Sequence, residues 1–311
     1  MRGNTTFENV VGRVNEISAY NHDETIPVVD MEFDDLNYMW IGSNRVEVLP
    51  SAQRLLANRL RVPYSYLVRC PQELQARNLN YWLRQEQKSR ETLFCRFNSN
   101  RLRAVFTERY TAIDHMEVLS LMVDYGFNPE SECHYALDEN LLVLKVPDFT
   151  RGFGFGDDRI VPGISISNSE VGILALSIEA YFYRLVCSNG LIAKTSVASK
   201  FKHISRKGVD EFPYILRQVV SESEQAQRRF EISTQSIIDD PVATITTFNR
   251  RFQLSKQESE IVMESWQADQ GKTMFDIINA YTYAAQNNSL TVEESFQLER
   301  VGGLILSMVK E

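Results

Sequence analysis

At 311 residues and 35.8 kDa, with 43% hydrophobic and 24% charged residues and only 14 Gly and 9 Pro, the chain has the composition of one large or two ordinary globular domains, not of a fibrous or low-complexity protein. It has no run approaching the roughly 20 apolar residues of a membrane span, no apolar segment at its start of the kind a secretory signal needs, and four cysteines too widely spaced for a disulfide framework; membrane, secreted and disulfide-scaffold classes are excluded, and a cytoplasmic location with reduced thiols is expected. The net charge of −8 is segregated: residues 45–109 carry 13 basic and 5 acidic side chains and residues 181–208 carry 6 basic and none acidic, whereas 1–44, 110–150 and 209–311 are acidic.

Residues 1–33 read as partly extended, with Ile26 to Phe33 alternating loosely, and Asn44 to Leu49 as a second short strand. Pro50-Ser51 opens a helix from Ala52 to Leu60 with Ser51 as N-cap. Pro63 starts a short helix through Val68, and Pro71 a third over Gln72 to Gln87, with Leu74, Leu79, Trp82 and Leu83 as its apolar face. Thr92 to Phe97 and Leu102 to Phe106 flank the turn-forming Asn98-Ser99-Asn100. A helix begins near Asp114 and ends at Gly126, and Cys133 to Leu137 pairs with Leu141 to Val146 about Asp138-Glu139-Asn140. Ile160 to Ser167 and Val171 to Leu185 are the next strands, and Asn189-Gly190 reads as a tight hairpin turn. Beyond about Asp210 the pattern is helical, over 211–236, 239–250, 255–268, 273–286 and 291–309. The expected class is α+β: a mixed or antiparallel sheet with helices in a core domain over 1–208, then an all-helical C-terminal domain over 209–311.

The motifs of enzyme chemistry fail on inspection. Gly271-Lys272-Thr273 ends like a phosphate-binding loop, but the first glycine of that motif would fall on Trp266. The glycines of Gly152-Phe153-Gly154-Phe155-Gly156 precede a strand rather than open a helix, which is not how a dinucleotide loop is built. Cys133 and His134 are adjacent, and neighbours on a strand point to opposite faces. The acid pairs Asp34-Asp35, Asp157-Asp158 and Asp239-Asp240 leave a magnesium-dependent nuclease open, although none lies beside Glu-x-Lys. No catalytic residue, metal ligand or cofactor is assigned.

Several stretches together are distinctive. They are Arg69-Cys70-Pro71, Asn78-Leu79-Asn80-Tyr81-Trp82-Leu83, Leu102-Arg103-Ala104-Val105-Phe106-Thr107-Glu108-Arg109-Tyr110, Pro162-Gly163-Ile164-Ser165-Ile166-Ser167-Asn168-Ser169-Glu170-Val171-Gly172 and Arg184-Leu185-Val186-Cys187-Ser188-Asn189-Gly190, with Lys202-His203 downstream. Over about residues 45–250 the chain resembles the phage/plasmid-like domain-of-unknown-function family 932. That resemblance brings no reaction with it. Its occurrence on phages, plasmids and bacterial chromosomes implies a bacterial host cell and a part in DNA maintenance, recombination or defence. The strand–strand–helix core with basic strands is also similar, more distantly, to phage single-strand annealing proteins of the RecT and Red beta type.

Candidate binding residues follow from charge and aromaticity. Of the 33 basic residues 24 are Arg, which holds phosphate bidentately and stacks on flat rings. On the strand after Asn100, Arg101 and Arg103 share one face, and Arg109-Tyr110 adds a cation and an aromatic ring, or else Arg109 pairs with a carboxylate such as Asp114. Tyr181 and Tyr183 share a strand face beside Arg184, either for base stacking or as a half-buried sheet face. Lys194, Lys200, Lys202, His203, Arg206 and Lys207 lie in a stretch without an acid, suited to a polyanion or to a solvated basic face. The expectation is a non-enzymatic protein that binds, and in annealing pairs, single-stranded DNA, and that forms a homo-oligomer. An interaction or scaffold protein acting through its helical C-terminal half is the alternative, and a metal-dependent nuclease the third.

Overall fold

The computed structural model describes residues 2–155, 158–184, 189–193 and 210–310. β1 (Arg2–Thr6) runs directly into α1 (Phe7–Ser18), a helix where the sequence reads as extended. Its signals are present all the same. The Thr6 hydroxyl accepts from the Asn9 backbone N–H, and Phe7, Val10 and Val14 fall on one buried side at helical spacing.

β2 (Asn21–Pro27), β3 (Met31–Phe33), β4 (Tyr38–Ile41), β5 (Asn44–Val48), β6 (Thr92–Asn98) and β7 (Arg101–Phe106) make a sheet in the order β2-β6-β7-β5-β4-β3. Its neighbours are antiparallel except β5 beside β7, so the sheet is mixed. α2 (Pro50–Arg59), α3 (Tyr64–Leu67) and α4 (Gln72–Gln87) close its inner face, where Leu56, Leu67, Leu79 and Leu83 meet Met39, Val48, Leu93 and Leu102. α2 begins two residues earlier than expected: Leu49 is the cap, and the Ser51 hydroxyl donates instead to the Arg103 carbonyl at 2.7 Å. α4 has the expected bounds, but its buried side is Gln75, Leu79 and Leu83, while Leu74 and Trp82 face outward. Gln75 is accommodated because its amide donates to the Leu67 and Cys70 carbonyls at 3.0 and 3.1 Å.

The second sheet takes β1 with β8 (Glu132–Leu137), β9 (Leu142–Pro147), β10 (Phe153–Phe155), β11 (Asp158–Asn168), β12 (Ser177–Arg184) and β13 (Asn189–Ala193). Its order is β1-β8-β9-β11-β12-β13 with β10 beside β11, antiparallel throughout. Gly163 is needed there: a Cβ would lie 2.3 Å from the Val146 carbonyl oxygen on β9. β12 starts at Ser177, six residues later than expected, and Asn189-Gly190 is not the turn but the paired start of β13, opposite Arg184 and Tyr183.

α5 (His115–Asp124) and α1 cover one face of this sheet with the C-terminal helices α6 (Phe212–Gln235), α7 (Pro241–Arg251), α8 (Lys256–Asp269) and α9 (Met274–Ala284), while α10 (Val292–Met308) joins that core through Leu298 and Val301 and lays Val292 and Phe296 against Tyr181 and Tyr183 on the other face. All five lie within two residues of the expected starts. The last three are fixed by capping boxes: Ser255 with Glu258, Thr273 with Asp276 and Thr291 with Glu294. The class is α+β as expected. The helical portion shares its core with the second sheet, since Phe230, Ile245, Ile277 and Leu298 join Leu144, Ile164 and Ile178 in one cluster.

Candidate nucleic-acid interface

Among the described residues, the outer face of the mixed sheet is left open at β4. Alternation on β4 sends Met39 into the core and leaves Tyr38 and Trp40 36% and 42% exposed on the other side. Arg45 on β5 lies opposite Trp40, and its guanidinium sits 3.9 Å from the Tyr38 ring centroid. Asp34 anchors that guanidinium, accepting from Nε at 2.9 Å, so its flat surface is held in place.

Strand register carries this face across the sheet. Tyr38 pairs with Glu47, Glu47 with Arg101, Arg101 with Asn98 and Asn98 with Asn21, one row over five strands. Side chains confirm the shared side: Arg101 Nη2 donates to Asn98 Oδ1 at 3.0 Å, and Asn98 Nδ2 to Asn21 Oδ1 at 2.8 Å. Where the row reaches β7, β6 and β2 it enters a cleft of about 270 Å³ between the two sheets, whose walls include Asn21, Arg101, Arg103, His115 and Glu170.

Glu170 is the centre of this junction. One carboxylate oxygen accepts from Arg103 Nη2 at 2.9 Å and Asn21 Nδ2 at 3.4 Å, the other from the His115 backbone N–H at 2.8 Å. Its carbonyl accepts from Arg96 Nη1 at 3.1 Å and the Tyr110 hydroxyl at 3.3 Å. Burial alone would raise its pKa, but His115, Arg103 and Arg96 hold the carboxyl down at about 2. Burial lowers the pKa of His115 against the opposing pull of the Glu170 carboxylate. Asn168 Nδ2 donates to the Ile113 carbonyl at 2.9 Å and approaches His115 Nδ1 at 3.0 Å. An amide nitrogen facing Nδ1 makes that ring atom the acceptor and leaves the proton on Nε2.

The expected binding residues fall into three groups. Arg101 and Arg103 are brought together at the cleft; Arg103 is buried and paired with Glu170, and Arg101 keeps Glu139 at 3.7 Å. Arg109 is exposed and, among the described residues, makes no ion pair; Asp114 is taken by Arg96 instead. Tyr110 lies flat against Phe106, ring centroids 3.8 Å apart, and burial pushes its hydroxyl up to about 12. Tyr181 and Tyr183 are only 1% and 7% exposed beneath α10, which corrects their reading as a stacking surface. Arg184 packs its guanidinium 5.0 Å from the Phe275 ring. Lys194, Lys200, Lys202, His203, Arg206 and Lys207 lie outside the described residues. Among the acid pairs, Asp34 holds Arg45, Asp35 accepts from the Asn37 and Tyr38 backbone N–H groups at 2.6 and 2.8 Å, and Asp240 caps α7.

Sequence reasoning missed Tyr38, Trp40 and Arg45. The period-two pattern Tyr38-Met39-Trp40-Ile41 was the available signal, too short to separate from a loop. It read Glu170 as part of a turn, because its partners come from 55 and 67 residues away in the chain.

An α+β chain with an open aromatic sheet face and a polar cleft is the setting in which the comparisons fall. A family described as a domain of unknown function, DUF932, matches residues 103–300, and the chain belongs to that family. No curated protein and no solved structure matches it, so the more distant likeness to annealing proteins has no match behind it.

Proposed function

We propose that the protein binds single-stranded nucleic acid, DNA first, along the outer face of the mixed sheet. The observation that carries this is the pair Tyr38 and Trp40, exposed on one side of β4, with Arg45 opposite Trp40 and its guanidinium over the Tyr38 ring. Two residues along a strand place such rings about 7 Å apart, a spacing open to successive bases of an extended strand. Base–aromatic stacking contributes about 1–3 kcal/mol per base and needs no particular sequence. Arg101, in the same row as Tyr38, supplies a cation near this face, and Arg109 is a further exposed cation. The acid-free run of basic residues up to Lys207 would add phosphate contacts. Strand annealing and a homo-oligomer are further parts of this reading, the acidic segments of one copy complementing the basic segments of the next. Among the described residues no helix is long and apolar enough to cross a membrane.

The test is fluorescence anisotropy with a labelled oligothymidine. Trp40→Ala and Tyr38→Ala should each weaken binding about tenfold, by the stacking energies above, with the thermal midpoint unchanged. Equal affinity in both variants and wild type would remove the sheet face from the reading.

A further inference from the structure

The distinctive stretch Asn78-Leu79-Asn80-Tyr81-Trp82-Leu83 lies on α4, and its side chains divide between two directions. Leu79 and Leu83 are buried in the core under the mixed sheet. Asn80 fastens the helix to β3, accepting from the Phe33 N–H at 2.7 Å and donating to the Phe33 carbonyl at 2.8 Å. β3 is the last strand of the sheet, so Asn80 occupies backbone groups at its free edge and leaves no partner at Phe33 for an added strand. Tyr81 and Trp82 are left outside, 59% and 45% exposed, their rings edge to face with centroids 5.2 Å apart. Two large rings side by side in water mark a contact surface.

Charge and position decide what that surface takes. Residues 59–90 hold six Arg and one Lys against two Glu, and Glu86 is already taken by Arg59 and Arg90. Leu74, Arg77, Tyr81 and Arg84 follow helical spacing along the outer side of α4, and Arg77 is exposed and without an ion pair among the described residues. Rings beside guanidinium groups on a basic layer suit a polyanion with flat bases. Arg84 joins this surface to the sheet face. Its Nη1 donates to the Val29 carbonyl at 3.3 Å, and its Nη2 lies 3.9 Å from Glu32, which pairs in register with Trp40 and so shares its side of the sheet. Tyr81 is one turn from Arg84 on α4, and Trp40 is one strand from Glu32 on the sheet.

We propose that the bound single strand turns over the β3 edge, from the Tyr38–Trp40 face onto the outer side of α4, where Tyr81 and Trp82 stack further bases. Arg84 sits at the turn and Arg77 beside the rings, both as flat cations against the strand. The assignment rests on the strand-binding reading of the sheet face and lengthens it from one strand of the sheet to a path across two layers. The Asn80 clasp keeps α4 seated on the edge that the strand crosses.

The chain has three tryptophans, and Trp266 is half-buried with its indole N–H donated to the Gly271 carbonyl at 3.0 Å. Trp40→Phe therefore leaves Trp82 as the exposed reporter and Trp82→Phe leaves Trp40, each variant keeping a ring for stacking. On the full chain, an oligothymidine of about 16 nucleotides should quench the emission of both variants over the same strand concentrations, at one strand per chain. Trp82→Ala combined with Arg77→Ser, both at exposed sites, should weaken that binding about tenfold with the thermal midpoint unchanged. Emission that stays constant in Trp40→Phe while it is quenched in Trp82→Phe overturns the assignment, as does unchanged affinity in the combined variant. Two strands per chain would make α4 a separate site and overturn the continuous path. A smaller oligomer in the combined variant with oligothymidine affinity kept would make α4 a contact between copies, which also overturns it. Tyr38→Ala and Trp40→Ala without effect, with Trp82 still quenched, would instead count against the sheet face alone.

Discussion

Glu170 gathers donors from Asn21, Arg103 and His115, three stretches that meet only in the fold. Its carboxyl stays ionised down to about 2, below the ordinary 4.5. A folded pKa depressed in this way stabilises the fold above the unfolded pKa, and the contribution is lost as pH falls from 4.5 toward 2. Glu170→Gln leaves Arg103 buried without its opposite charge, a change of about 3 kcal/mol. Urea unfolding of wild type and Glu170→Gln should therefore differ by that amount near neutral pH, and the two should converge as pH drops below 4.5. A gap independent of pH would mean that the ionised carboxylate is not what holds the junction. Local sequence could not show this. Asn168-Ser169-Glu170 has the chemistry of a turn, and only the approach of Arg103 and His115 makes it a hub.

Among the elements, β8, β9, β11 and β12 carry a polar row that their sequences read separately as ordinary strand alternation. His134 pairs in register with Lys145, Lys145 with Ser165, and Ser165 with Glu179. α10 lies over it and supplies the partners: Lys145 binds Glu299, and Arg300 Nη2 lies 3.2 Å from Glu179. His134 lies 3.2 Å from the Tyr181 hydroxyl, and burial lowers its pKa to about 4, so it is neutral there. The alternation was legible and so was α10, but which face α10 covers was not, since Glu299 and Arg300 look like solvent-facing charges on a helix. That is why sequence left Tyr181 and Tyr183 open between base stacking and a half-buried sheet face. Buried pairs of this kind serve positioning more than stability. Lys145→Ala alone should lower the unfolding free energy by about 3–5 kcal/mol, because Glu299 is left buried and unpaired. Lys145→Met with Glu299→Leu should recover most of it. A double substitution no more stable than the single one would show the pair to be irreplaceable by packing.

For the molecule as a whole, the helical C-terminal run was readable from its caps and the hairpins from their turns, but the site was not. Its groups lie on β2, β4, β5, β7 and α5 and on the loop after β11, and they meet through a strand order, β2-β6-β7-β5-β4-β3, that places β5 beside β7 in parallel. Sequence segregates charge instead: a net charge of −8 coexists with two basic blocks, residues 45–109 and 181–208. The structure spends part of the first block internally, since Arg96 and Arg103 are buried against Asp23, Asp114 and Glu170. Long-range attraction for a polyanion then falls chiefly to the second block, Arg184 to Lys207, which has no acid in its sequence. Each phosphate neutralised on a single strand adds about −0.7 to the slope of log affinity against log salt. Changing Lys200, Lys202, Arg206 and Lys207 together to Ser should therefore flatten that slope by about 3, with Tyr38 and Trp40 left to provide a weaker, salt-insensitive remainder. The thermal midpoint and the oligomer size should hold. Anisotropy titrations of oligothymidine at several salt concentrations measure this directly. An unchanged slope in the four-fold variant would place the phosphate contacts on Arg101 and Arg109 instead.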